Sequence, residues 1–268
     1  MKVRFWGVRG SIPTPGAATA EFGGNTSCVE VISDTGETLV LDAGTGLRVF
    51  GLDYLKRPDA SRTVHLLISH SHWDHIQGFP FFIPVHIPGY TIKIHGDGDV
   101  MKSLAMQMRP PVFPVDFRKL PSKIEYHSVG TAVFKVAGFK VKPFTLVHPQ
   151  KVLGFRIEAG GKSLVYATDT EHKFDAAEKE IIKAIKGADL LMYDAQYTPD
   201  EYEKGKVGWG HSTYTAGIEV AKKAGVKTLV LFHHEPTHDD VAIRKIVDES
   251  RKIFPNTLAA REGLLLEV

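Results

Sequence analysis

Between positions 66 and 75 the chain reads Leu-Leu-Ile-Ser-His-Ser-His-Trp-Asp-His, an apolar strand-like run leading into four metal-capable side chains, His70, His72, Asp74 and His75. While the chain stays extended, alternate residues project to one side, so His70 and His72 can share a single cation. Once it turns, Asp74 and His75 can face a second cation a few Å away. Imidazole and carboxylate donors suit zinc, and manganese or iron when more oxygen is added. The plain alternative is a polar, histidine-rich loop that takes up metal adventitiously. Three further donors argue against it. His148 ends the apolar run from Phe144, Asp169 follows Ser163 to Thr168, and His233 ends Leu229 to Phe232. An open sheet offers ligands where its strands give out. Taken singly, His148 before Pro149 reads as a turn residue and Asp169 before Thr170 as a helix cap; taken together, the three read as one site.

The elements that must position these donors follow from periodicity and punctuation. Short strands are expected at Val3 to Trp6, Ser27 to Ile32, Thr38 to Leu41 and Val64 to Ile68. A helix is predicted from Thr45 toward Lys56, ended by Arg57 and Pro58. Residues 79–117 are dense in proline and aromatics, with a short helix at Asp99 to Gln107, and are expected to form a cap-like insertion. Strands return over 131–167, with a hairpin signal at Glu158-Ala159-Gly160-Gly161. The last hundred residues alternate helices at Ala176 to Lys186, Ser212 to Ala224 and His238 to Ile253 with buried strands at Leu190 to Tyr193 and Thr228 to Phe232. No repeat, low-complexity tract or flexible linker divides the chain, so one α/β domain spanning residues 1–268 is expected.

Composition bounds the function classes. With 33 basic against 31 acidic side chains, no strong overall field for nucleic acid or membrane arises. One cysteine, Cys28, excludes an intrachain disulfide and fits a reducing cytoplasm. No apolar run approaches the ~20 residues of a membrane helix. The start of the chain, interrupted by Arg4 and Arg9, reads as mature structure rather than as a signal.

The motif His-Ser-His-Trp-Asp-His, with Asp42 in Leu41-Asp42-Ala43-Gly44-Thr45-Gly46 ahead of it and His148, Asp169 and His233 behind it in order, resembles the metallo-β-lactamase superfamily over essentially the whole chain. The resemblance implies a single-domain, four-layer αββα sandwich with two divalent metal ions at one edge, zinc foremost, manganese or iron as alternatives. In the usual division His70, His72 and His148 bind the first metal and Asp74, His75 and His233 the second, with Asp169 bridging them. Asp42 braces the site. His234 competes with its neighbour for the last ligand position; His233 is preferred because it ends the strand first.

The segment Gly210-His211-Ser212-Thr213-Tyr214, followed by a helix, resembles the phosphodiesterase branch that includes tRNA 3′-end nucleases and cyclic-nucleotide phosphodiesterases. In that reading Asp169, His211 and Asp74 form the catalytic group. Metal-activated hydroxide attacks phosphorus, Asp169 holds the nucleophile, and His211 acts as general acid. The competing role for His211-Ser212 is simply to open and cap the helix. Gly7-Val8-Arg9-Gly10 and Gly23-Gly24-Asn25 also resemble this branch, so Arg9 or Asn25 either touches a phosphate or serves a turn. The tRNA-processing relatives carry an extended glycine-rich, basic arm, and no such arm is found here. Instead Phe79, Phe81, Phe82, Tyr90, Met106, Met108 and Phe113 could roof a pocket and stack on a base, or equally form core or a dimer contact. A small phosphodiester or cyclic nucleotide is therefore expected as substrate rather than extended RNA, with no membrane partner. Homodimers are common in the branch, though no residue here identifies a dimer face. The alternatives are hydrolysis of a thioester or lactone, and a slow-turnover sensor of a phosphorylated ligand. Di-iron reduction chemistry is disfavoured by His72, where such relatives carry an acid.

Overall fold

In a computed structural model, which describes residues 1–173 and 176–268, the strands form two mixed sheets lying face to face. The first contains β1 (Lys2–Gly7), β2 (Cys28–Ile32), β3 (Thr38–Leu41), β4 (Thr63–Leu67), β5 (Thr91–Gly96) and β6 (Lys123–Ser128) in sequence order. The second runs, also in order, through β7 (Phe134–Val136), β8 (Phe139–Thr145), β9 (Leu153–Ala159), β10 (Lys162–Ala167), β11 (Leu190–Asp194), β12 (Thr228–Phe232) and β13 (Thr257–Ala259). The last strand, β14 (Leu265–Glu267), returns to pair antiparallel with β1.

Each sheet changes character half-way across. The strands from β1 to β3 pair antiparallel, and β3 to β6 run parallel. Likewise β7 to β10 are antiparallel, and β10 to β13 parallel. Parallel neighbours need crossovers, and those crossovers are the helices. They are α1 (Gly46–Tyr54), α2 (Trp73–Ile76), α3 (Val100–Gln107), α4 (Ala176–Ile185), α5 (Pro199–Glu203), α6 (Tyr214–Ala224) and α7 (Asp240–Ile253).

Three apolar clusters set the layers. Between the sheets Phe5, Val31, Leu39 and Leu67 meet Val141, Phe155, Tyr166 and Phe232. Outside the first sheet, α1 and α3 bury Leu47, Phe50 and Leu104 on Val40, Leu66 and Ile94. Outside the second, α4, α6 and α7 bury Ile181, Ile218 and Ile243 against Val165, Leu191 and Leu229. The result is the expected helix–sheet–sheet–helix sandwich. Strand β11 is buried on both faces, which explains why its sequence is continuously apolar rather than alternating.

Most elements lie where the sequence puts them, with ends shifted by a residue or two. Between β9 and β10 the expected hairpin is closed by Gly160 and Gly161 at φ 58° and 74°, the left-handed pair of a type I′ turn. The stretch 79–117 is less separate than a cap. It contains β5, hydrogen-bonded between β4 and β6, and its Phe79, Phe82, Tyr90 and Met108 are buried in the outer core. Of its aromatic and methionine side chains Phe81 and Met106 remain broadly exposed, as does Val112, with Phe113 edge-on to Phe81. Among the described residues no helix is long and apolar enough to cross a membrane.

Candidate metal centre

Four carboxylates stand at or just beyond strand ends and organise one edge of the sandwich: Asp42 after β3, Asp74 in α2 beyond β4, Asp169 after β10 and Asp194 at the end of β11. Asp42, Asp169 and His233 each adopt φ near +60° (59°, 57° and 63°), immediately beyond or close to the end of their strands. A non-glycine residue in this region costs of order 1–3 kcal/mol and persists where surrounding contacts hold it. Here the turn swings each side chain off its sheet and toward its neighbours.

The sequence-predicted donors converge. Ligand atoms of His70, His72, His148 and Asp169 lie within 4.8 Å of one another, as do those of Asp74, His75 and His233. Asp169 lies between the groups, with Oδ1 3.6 Å from His70 Nε2 and Oδ2 3.1 Å from His75 Nε2 and 3.4 Å from His233 Nε2. His72 Nδ1 and His148 Nε2 are 3.3 Å apart at the exposed mouth. His233, not His234, joins the cluster. The His234 ring is buried against Phe22 with Nε2 on the Ala260 carbonyl, and burial pushes its pKa down to about 3.

The far nitrogen of several rings is tied to the protein. His148 Nδ1 donates to the Gly210 carbonyl (2.9 Å), His75 Nδ1 to Asp42 (2.7 Å) and His233 Nδ1 to the Gln196 side-chain oxygen (3.0 Å). Such outer hydrogen bonds are how metal-binding histidines are held in one tautomer. The inner atoms tell the same story: His70 Nε2 and His75 Nε2 are buried without a hydrogen-bond partner in the fold. Buried polar atoms are rarely left so. Nitrogen lone pairs facing carboxylates fit divalent cations of the zinc class.

Electrostatics agree. Burial would discharge His75, but Asp169, Asp74 and Asp42 outweigh it and hold its pKa well above the ordinary value. Burial works against ionised Asp169 too, yet His233, His75 and His70 keep its pKa well below the usual carboxylate range. For His70 burial dominates, helped by His75, and its pKa falls well below normal. The carboxylates thus gather round His75, where a cation would take the place of the proton they hold there, and neutral imidazole lies at His70.

Asp42 lies behind the donor cluster at the centre of a hydrogen-bond network. It is fully buried, and its two oxygens accept from Ser69 N (2.7 Å), Ser69 Oγ (2.8 Å), His75 Nδ1 (2.7 Å) and Tyr166 Oη (2.8 Å). It couples the first sheet to the second through Tyr166. Asp194 was not anticipated. Its Oδ2 accepts from Asp169 N (3.0 Å) and His211 Nδ1 (2.8 Å), and its Oδ1 from Gln196 N and Ser212 N (both 3.1 Å). The signal was available, since Leu-Leu-Met-Tyr-Asp repeats the strand-then-aspartate pattern of Asp42 and Asp169. Gln196 was also missed.

His211 stacks on His233 (ring centroids 5.1 Å) and meets His148 edge-on (5.3 Å). Burial alone would lower its pKa, but the Asp194 carboxylate holds it up to about 9. The cap of α6 is supplied by Thr213, whose side chain accepts from Ala216 N, while Ser212 turns to the Thr170 carbonyl. Close packing explains Gly210 (φ 88°): a Cβ there would collide with the His148 ring.

Of the two alternatives for Arg9 and Asn25, the contacts in the fold are those of the loop-holding one. Arg9 is fully buried, and its guanidinium donates to the Gly23, Glu235 and His238 carbonyls, pinning two loops together. Asn25 is likewise engaged, its amide and backbone N–H both donating to Glu262.

Residues 37–234 match the Beta-lactamase superfamily domain. The chain belongs to this family. Ribonuclease Z of Porphyromonas gingivalis is 22% identical, over 89% of this chain and 92% of its own length. Among solved structures, the metallo-β-lactamase fold protein YhfI of Bacillus subtilis superposes with a TM-score of 0.73 at 21% identity, covering 99% of both chains. A diphosphatase from the PhnP family gives 0.74 at 20% identity, covering 100% of this chain and 97% of its own. At these identities the superpositions establish the shared fold.

Proposed function

We propose that the protein is a metal-dependent phosphodiesterase with two divalent cations, held by His70, His72, His148 and Asp169 on one side and by Asp74, His75, His233 and Asp169 on the other. The observation that carries this reading is the contiguity of the two donor groups with the Asp194–His211 pair. A metal pair alone is compatible with many hydrolyses. A protonated imidazole standing beside it is what departure of an alkoxide from phosphorus requires.

Bound cations would supply a water of lowered pKa and offset charge on the phosphoryl oxygens. The remaining roles fall to the chain. Asp169, with one oxygen toward each donor group, holds the proton of the attacking water and fixes its line of approach. Asp74, whose Oδ2 also accepts from Ser11 N (2.8 Å), completes the second group. His211, tied through Nδ1 to Asp194, keeps Nε2 to donate to the leaving oxygen. The relatives include both a Ribonuclease Z and a diphosphatase. A small phosphodiester is favoured here because residues 79–117 are largely absorbed into sheet and core rather than forming a separate grip for extended RNA. The expected cellular setting is the cytoplasm, and the oligomer, if any, a homodimer.

The test is hydrolysis by zinc- or manganese-loaded protein of an activated phosphodiester, 2′,3′- and 3′,5′-cyclic nucleotides and a thioester, with chelated protein as control. Chelator-sensitive cleavage limited to phosphodiesters is expected. Thioester cleavage alone would replace this reading by a carbonyl hydrolase; no cleavage with both metals bound would replace it by a ligand sensor.

A further inference from the structure

Two exposed tryptophans directly adjoin residues of the donor cluster or its supports along the chain. Trp73, 63% exposed, sits between His72 and Asp74; Trp209, 56% exposed, directly precedes Gly210. The chain of contacts between them is short. His72 Nδ1 is 3.3 Å from His148 Nε2, and His148 Nδ1 donates to the Gly210 carbonyl, so this chain of contacts joins the chain neighbours of the two tryptophans, His72 beside Trp73 and Gly210 beside Trp209. The third tryptophan, Trp6, is buried in the outer core, where such side chains ordinarily go.

Trp209 is also equipped. The Lys206 ammonium lies 4.0 Å from the centroid of its ring and 5.4 Å from that of Tyr197, whose own ring meets His211 at 6.0 Å. Among the described residues no carboxylate lies within ion-pair distance of Lys206, whereas nearby Lys204 pairs with Asp200. The loop is held in place: buried Glu171 accepts from Gly208 N (2.6 Å) and Tyr202 Oη (2.7 Å), and Gly205, Gly208 and Gly210 take left-handed conformations. An exposed indole carrying an uncompensated cation, on a tethered loop beside the proposed acid, is an arrangement for a π-face next to a negative charge.

We propose that Trp209 and Lys206, aided by exposed Trp73, form a nucleotide-recognition site in which an indole stacks on a base next to the scissile phosphodiester and Lys206 pairs with a phosphate oxygen. The proposal rests on the phosphodiesterase reading and narrows its substrate class to nucleoside phosphodiesters. Base–indole stacking tolerates any base because every base has a π-face. The site therefore selects nucleotides over simple phosphodiesters without selecting sequence.

The experiment compares thymidine 5′-(4-nitrophenyl) phosphate with methyl 4-nitrophenyl phosphate on the metal-loaded enzyme and on Trp209→Ala, Trp209→Phe, Trp73→Ala and Lys206→Gln. The leaving group is common, so the ratio of kcat/KM values isolates recognition of the nucleoside. Trp209→Ala should lower that ratio about tenfold, chiefly through KM, the range expected for one stacked base. Trp209→Phe should restore most of it. Lys206→Gln should raise KM for the nucleoside ester and weaken its salt dependence. A ratio unchanged in both alanine variants would overturn the proposal. Binding is measured in parallel by titrating thymidine 5′-monophosphate and inorganic phosphate and reading tryptophan fluorescence. Quenching by the nucleotide alone, lost in Trp209→Ala, supports the site even if neither ester is cleaved, an outcome that would count against the phosphodiesterase reading instead. Equal nucleotide affinity in the parent and Trp209→Ala would overturn it.

Discussion

Asp194 Oδ2 lies 2.8 Å from Nδ1 of His211, and the same oxygen accepts the backbone N–H of Asp169 at 3.0 Å. One buried carboxylate thus fixes both the proposed proton donor and the residue between the two donor groups. In the proposed mechanism the roles are distinct: His211 would meet the substrate, and Asp194 would position His211. If so, His211→Ala should lower turnover of an alkyl phosphodiester by roughly 10²-fold or more, the usual worth of a positioned acid, and turnover of a nitrophenyl ester much less. Asp194→Asn should show the same leaving-group bias, and the double variant should be little worse than the poorer single one. Steady-state kinetics on the two esters decide this. Equal losses on both leaving groups, or strictly additive losses, would remove the acid role.

Asp42 makes a different prediction because it touches no candidate cation. Its two oxygens satisfy four donors, including His75 Nδ1. Asparagine keeps the shape but replaces one acceptor oxygen by a donor facing donors. Asp42→Asn should therefore weaken metal binding by about 10- to 100-fold, as loss of such outer hydrogen bonds generally does. Competition against a chromophoric chelator measures it directly. An unchanged affinity would make Asp42 a purely structural link between the sheets.

Metal removal should also be felt in stability. Beside buried Asp74 and Asp169, His70 Nε2 and His75 Nε2 are buried without a hydrogen-bond partner in the fold. A ligand at a thousand times its dissociation constant stabilises the folded state by about 4 kcal/mol. For a chain of this size each kcal/mol moves Tm by about 2–4 °C, so a shift on the order of 10 °C on chelation is expected. Calorimetry of zinc-loaded and chelated protein reads it out. Identical unfolding curves would mean that the cluster does not bind metal in the folded protein.

What could be read in the sequence, and what could not, divides along physical lines. Strands β3 and β12 lie at their expected bounds, Thr38–Leu41 and Thr228–Phe232, because both are short apolar runs closed by a polar residue. The same pattern marks Asp42 and His233 as residues that leave the sheet at its edge. Strand β5 was hidden since Thr-Ile-Lys-Ile-His-Gly follows a run of prolines and aromatics that reads as irregular. The three-residue strands β13 and β14 depend on partners far away in sequence, β12 and β1. Helix α5 was missed although Thr198 and Glu201 form a capping box visible in the text. Arg9 shows the opposite limit: its motif is legible, but its enclosure by Gly23, Glu235 and His238 is a property of the tertiary fold.

A second group of histidines gives a pH prediction separate from the site. His65, His95 and His127 stack along β4, β5 and β6, with ring centroids 5.5 Å and 4.8 Å apart and His65 Nδ1 3.2 Å from His95 Nε2. Burial, then His65, His127 and Lys93, push the His95 pKa down to about 4, and burial with Lys93 and His127 lowers that of His65. Glu125 is the acid that opposes the trend at His65. In the unfolded chain His65 and His95 titrate near 6.5. Above that pH neither state binds the extra protons and stability is unaffected; as pH falls from about 6.5 toward 4, the unfolded chain takes up protons that folded His65 and His95 refuse, and stability is lost. Urea denaturation across this window should show a falling midpoint. His95→Phe keeps an aromatic ring beside His127 and Phe134 but cannot titrate, so its slope should be shallower whatever its stability at pH 7. The same slope in both proteins would assign the acid sensitivity to other groups.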